Sequence, residues 1–161
     1  MDTAPGTPPT TTGRGARAFE PRADGQVLGV GIDVVDVPRL DEAFSRTPAL
    51  LTRLLTPSER DLPPASRAAR VAAKEAVGKA LGSPGNFSWQ DVTVHRTSSR
   101  RPYLVLEGAT LHAAEQLGVG HLHLSLSHDG EVATAIVVAE RETGPRGPGD
   151  VPGARTTEEP S

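Results

Sequence analysis

The chain has 161 residues, a formal net charge of −3 and no cysteine. That length suits one domain and is short for two ordinary ones, and the small net charge favours neither nucleic acid nor a membrane surface as partner. The missing cysteines exclude disulfides and thiolate metal sites and match a cytoplasmic protein.

In chain order, residues 1–25 are Thr, Pro, Gly and Arg with almost no large apolar side chain, and residues 142–161 repeat that mixture with more acid. Neither end can bury enough surface to offset the entropy of ordering it, so both are expected to be disordered tails around a domain at 26–141. No stretch approaches the roughly 20 apolar residues of a membrane span, and the N-terminus has no apolar run of signal-peptide length.

Val27 to Val35 reads as a strand, with Leu28, Val30, Ile32 and Val34 on one face and Gly29, Gly31 and Asp33 on the other. The glycines leave that second face bare just before the carboxylate, so a ligand or another backbone can approach closely. Asp36 precedes Val37-Pro38 and caps a short helix carrying Arg39, Leu40 and Phe44. Residues 48–62 carry no decisive pattern. Ser66 is the expected N-cap of a helix that runs to Leu81 and stops at Gly82 and Pro84.

Asp91–Thr97 and Tyr103–Leu106 form a hairpin across Ser98–Arg101. Ala109–Leu117 is a short helix ended by Gly118. From His121 to His128 the pattern alternates, Leu122, Leu124 and Leu126 against His121, His123, Ser125 and Ser127. Asp129-Gly130 then marks a tight turn into a strand over Glu131–Glu140. This order indicates an α+β fold, a single domain whose mostly antiparallel sheet is covered on one side by helices.

Two carboxylates stand out. Asp33 ends the glycine-spaced strand, and Glu75 sits inside a helix of small residues with Lys79 one turn on. A carboxylate from each of two rigid elements, beside a cation, suits a hard divalent metal that keeps waters and grips a substrate phosphate. The competing reading of Glu75 and Lys79 is an i,i+4 surface pair worth a few tenths of a kcal/mol. The basic residues comprise fifteen Arg and two Lys, and both lysines lie in that one helix.

His123 and Ser125 can hydrogen-bond a polar ligand or a neighbouring subunit, whereas a solvated face accounts for His121 and His128. Zinc spacing and a nucleophile elbow are both missing. The few aromatics include no pair on a strand, which argues against a sheet-type RNA binder. On residues alone the chain is a candidate phosphate-transfer enzyme, with a metal-dependent phosphohydrolase and a non-catalytic interaction module as alternatives.

The segments Gly29-Val-Gly-Ile-Asp33-Val-Val-Asp-Val-Pro-Arg39-Leu, Leu55-Thr-Pro-Ser-Glu59, Arg70-Val-Ala-Ala-Lys-Glu75-Ala-Val-Gly-Lys79-Ala-Leu-Gly82 and His123-Leu-Ser125-Leu-Ser-His128 occur in the order of the holo-acyl-carrier-protein synthase family. The chain resembles these small phosphopantetheinyl transferases over nearly all of residues 27–140. The resemblance implies transfer of 4'-phosphopantetheine from coenzyme A to a serine of apo acyl carrier protein, with release of adenosine 3',5'-bisphosphate. It also implies Mg²⁺ held by Asp33 and Glu75, with Glu75 and Lys79 catalytic and Lys79, Gly82, His123 and Ser125 on coenzyme A. Arg39 would meet the acidic carrier surface, and a homotrimer would form its active sites between subunits. Val71 replaces the usual Phe of that helix, and Arg100-Arg101-Pro102 replaces Gly-Lys-Pro at the hairpin.

Overall fold

A computed structural model describes residues 25–144. The expected tails, 1–25 and 142–161, fall almost wholly outside the described residues. The elements are β1 (Val27–Asp36), α1 (Val37–Arg46), α2 (Pro48–Leu54), a 3-10 turn at Pro57–Glu59, α3 (Pro64–Ala80), a second such turn at Trp89–Asp91, β2 (Val92–Arg96), β3 (Pro102–Leu106), α4 (Gly108–Gln116), β4 (Val119–Asp129) and β5 (Val132–Arg141). β1, β5 and β4 form one antiparallel sheet in that spatial order, and β2 and β3 form a separate hairpin. The α+β reading holds, and every strand pair is antiparallel.

The core lies where α3 crosses the sheet. Ala72, Ala73, Ala76 and Val77 of α3 pack with Ala135, Val137 and Ala139 of β5, and Val92 and Val94 of the hairpin close the cluster. So many alanines bring helix and strand backbones unusually near each other. Closest of all is the seam with β1, where a Cβ added at Gly31 would stand 1.8 Å from the Ala76 carbonyl oxygen and one at Gly29 would stand 2.0 Å from that of Ala80. What approaches the bare glycine face is therefore helix α3, a backbone and not a ligand. From Val30 to Val34 the alternation of β1 is as expected, but the branched face is the one left open: Val30, Ile32 and Val34 are all more than half exposed, whereas Leu28, expected on that face, packs against the core because the register shifts between Val27 and Gly29.

Asp36 caps α1 as its sequence suggests, accepting from the Arg39 N–H at 2.8 Å. The expected cap at Ser66 is wrong. Helix α3 begins three residues earlier than that cap implies, behind Pro63 with Pro64 in its first turn and no side-chain cap. Proline at the first helical position removes one of the N–H groups left without an intrahelical partner, and its fixed φ starts the helix. The unreadable stretch 48–62 holds α2 and the first 3-10 turn, which is closed by a capping box between Thr56 and Glu59. Asp129 pairs with Val132, so the two-residue loop between β4 and β5 is Gly130-Glu131, with Gly130 at φ +54° in the first position. Among the described residues no helix is long and apolar enough to cross a membrane.

Candidate active site

β1 and the last turn of α3 meet through Lys79. Its Nζ donates to Asp33 Oδ1 at 2.8 Å and to the Ile32 carbonyl at 2.9 Å. Glu75 lies one helical turn before Lys79 on the same face of α3. It lines a cavity of about 300 Å³ with Gly78, Lys79, Ser83, Pro84, Phe87 and Trp89. Asp33 is largely covered, at 18% side-chain exposure, while the Lys79 side chain is half in solvent at 49%. A reachable ammonium thus stands beside a sheltered carboxylate. Gly82, at φ +75°, turns the chain out of α3, and the Ser83 N–H returns to the Gly78 carbonyl at 2.7 Å, which places Ser83 and Pro84 on the cavity rim. The stop at Gly82 and Pro84 that the sequence suggests thus also supplies Ser83 and Pro84 to one wall of the cavity.

Glu75 is not a solvated partner of Lys79. Its Oε1 accepts from the Trp89 indole N–H at 2.7 Å. The Trp89 ring meets Phe87 edge-on, with centroids 5.6 Å apart, and the Arg53 guanidinium carbon sits 5.3 Å from its centre. Behind this wall lies an ion pair that sequence reasoning missed. Lys74, fully buried, pairs with Glu59 at 2.7 Å and donates to the Leu54 and Trp89 carbonyls at 2.8 and 3.0 Å. Glu59 in turn accepts from the Thr56 and Val94 N–H groups at 3.0 and 2.9 Å. Burial pushes the Lys74 pKa down, and its contact with Glu59 pulls it partly back. A signal for this pair was present: Lys74 stands three residues from both Val71 and Val77, on the apolar stripe of its helix.

Cation chemistry can be tested on the donor set. Asp33 already binds an ammonium, so the position suits positive charge, and Glu75 adds a second carboxylate from a rigid helix. The described residues contain no group of three or more His, Cys, Asp or Glu able to hold a metal. An ion here would draw its remaining ligands from water and substrate oxygens, as Mg²⁺ does when bound with a phosphate. Asp33 and Glu75 supply the hard carboxylate oxygens that such an ion takes.

His123 and Ser125 are elsewhere. Ser125 pairs with Ile136, which pairs with Ile32, and His123 pairs with Val138, which pairs with Val30. Opposed residues share a sheet face, so both side chains lie on the open face, away from α3 and from Asp33. His123 Nε2 contacts Glu140 Oε2 at 2.5 Å. Arg39 is exposed on α1, also away from the cavity. One chain therefore links Asp33 to Lys79 and sets Lys79 in one cavity with Glu75, with Gly82 at the turn before its rim, and leaves His123, Ser125 and Arg39 apart.

The model of the 4'-phosphopantetheinyl transferase superfamily matches residues 29–137. A holo-[acyl-carrier-protein] synthase of Beutenbergia cavernae is 55% identical over 115 residues, 71% of this chain and 99% of the relative. That of Micrococcus luteus is 55% identical over 117 residues, covering 71% and 93%. Among solved structures, the Helicobacter pylori holo-[acyl-carrier-protein] synthase in complex with coenzyme A superposes with a TM-score of 0.62 at 30% identity, over 69% of this chain and 99% of that one. The Neisseria meningitidis synthase gives 0.65 at 30% identity, over 71% and 99%. The fold and site define a small α+β transferase. The chain belongs to the 4'-phosphopantetheinyl transferase superfamily and, within it, to the holo-[acyl-carrier-protein] synthases.

Proposed function

We propose that the chain moves 4'-phosphopantetheine from coenzyme A to a serine of apo acyl carrier protein, in the cytoplasm, with Mg²⁺ held by Asp33 and Glu75. The serine Oγ attacks the β-phosphorus of the pyrophosphate, the bond to the bridging oxygen breaks, and adenosine 3',5'-bisphosphate leaves. When bound, Mg²⁺ supplies neutralisation of the pyrophosphate charge. Lys79 has three N–H donors, two of them on Asp33 and Ile32, and the third meets a phosphate oxygen as charge builds on the leaving group. The serine gives up its proton to a water ordered beside Glu75. The carrying observation is that Lys79 lines one cavity with Glu75 and is itself paired with Asp33 at 2.8 Å, which ties both carboxylates to one ammonium.

The open face of the sheet extends the proposal to a homotrimer. Val30, Ile32, Val34 and Ile136 expose a contiguous apolar surface that runs into His123 and Ser125. A threefold ring sets this face against neighbouring copies and brings His123 and Ser125 of one subunit to coenzyme A at the site of the next. Gly82 lets the chain approach the pyrophosphate. Arg39, exposed on α1, meets the acidic carrier surface and speeds docking.

The test is a mass measurement. Apo carrier protein incubated with coenzyme A, Mg²⁺ and the enzyme should gain one phosphopantetheine. Asp33→Asn and Glu75→Gln should each slow that gain by about 100-fold or more, the scale on which removal of one charge-stabilising group acts. Wild-type rates in both variants would overturn the reading, as would a panel of carriers left unmodified.

A further inference from the structure

We propose that Trp89 is a positioning residue for the cation site: its indole N–H holds one oxygen of Glu75 and so presents the other oxygen to the ion. The inference rests on the reading of Glu75 as a cation ligand and adds a group that touches neither ion nor substrate.

Three observations support it. First, the contact is short and has a fixed sense. The indole nitrogen can only donate, so Glu75 Oε1, at 2.7 Å, must be the acceptor and is committed to it. Second, the terminal torsion of a glutamate is broad, so a free carboxylate would turn over a wide arc. One strong donor on one oxygen removes that freedom and leaves Oε2 at a set orientation. Third, the indole is itself held. Phe87 stands edge-on to it, Arg53 lies over its face, and the Trp89 carbonyl is bound by Lys74, whose ammonium is fastened to Glu59. Lys74 and Glu75 are consecutive residues of α3 that point in different directions, yet both end on Trp89, one at its backbone and one at its ring. A buried ion pair with no part in the chemistry thereby sets the orientation of a carboxylate that has one. Groups that orient metal ligands in this way typically cost about 10–100-fold in metal affinity or activity when removed.

Trp89 is the single tryptophan of the chain, so it also reports on the site. Mn²⁺, a paramagnetic stand-in for Mg²⁺, should quench the wild-type emission saturably, and Glu75→Gln should abolish that quenching. In Trp89→Phe, Mn²⁺ binding followed by electron paramagnetic resonance should weaken about tenfold or more. Benzothienylalanine at position 89 replaces the N–H with sulfur and keeps the ring shape, so it should show the same loss even if the Phe variant folds poorly. Wild-type Mn²⁺ affinity in the benzothienyl protein would overturn the positioning role and leave Glu75 as a ligand. Wild-type affinity in Glu75→Gln would overturn both.

Discussion

Lys74 and Glu59 show how burial changes what a charged residue is for. The pair has no exposed surface worth the name, and every oxygen and most protons of it are matched. Removing one member leaves the other charge uncompensated in a dry interior, which typically costs about 3–5 kcal/mol. Lys74→Met should therefore lower the urea midpoint steeply, whereas Glu59→Leu combined with Lys74→Met should recover much of the loss. A double variant no better than the single one would show that the pair's hydrogen bonds, and not its charges, are what matter. Asp33 and Glu75 were legible in the sequence because acids at the end of a glycine-spaced strand and within an alanine-rich helix are out of place there. Trp89 was not, since its contact with Glu75 spans fourteen residues and a helix stop.

At the level of elements, the seam between β1 and α3 holds the site together. Gly29 and Gly31 admit the helix backbone, and that approach brings Lys79 within reach of Asp33. A methyl group at Gly31 would meet backbone atoms of Ala76 and Ala80, none of which can swing aside as a side-chain tip can. Gly31→Ala should thus destabilise by about 3 kcal/mol, the upper range for overpacking, and weaken Mn²⁺ binding through displacement of Asp33. Gly85→Ala, with open space around it, is the control and should leave the thermal midpoint near that of wild type. Strand periods, the cap at Asp36 and the stop at Gly82 were readable because each is a local pattern. The start of α3 was misread because a serine with capping chemistry lay just inside a helix that proline had already begun.

For the whole molecule, the open sheet face decides whether one chain is enough. Val30, Ile32 and Val34 of β1 lie in rows with Val138, Ile136 and Thr134 of β5, and β4 completes those rows with His123, Ser125 and Ser127. A lysine in the centre of that surface could not be buried against another copy without a heavy desolvation cost. Ile32→Lys should yield a folded monomer in sedimentation velocity, with native circular dichroism and transfer activity lost together with assembly. Full activity in a monomeric variant would place the coenzyme contacts within a single chain and dismiss the ring.

The sequence by itself determined the class of fold and marked Asp33 and Glu75 as candidates for its chemistry, because alternation, capping and glycine spacing act over a few residues and leave their mark in the order of side chains. It also carried the family resemblance, since the motifs sit on those same local elements. Only the tertiary structure decided which face of β1 meets the helix, that Lys74 is structural while Lys79 is exposed beside Asp33, and that an indole holds Glu75. Each of these depends on contacts between segments far apart in the chain. Such contacts follow from how closely two backbones can approach, and no local periodicity records that.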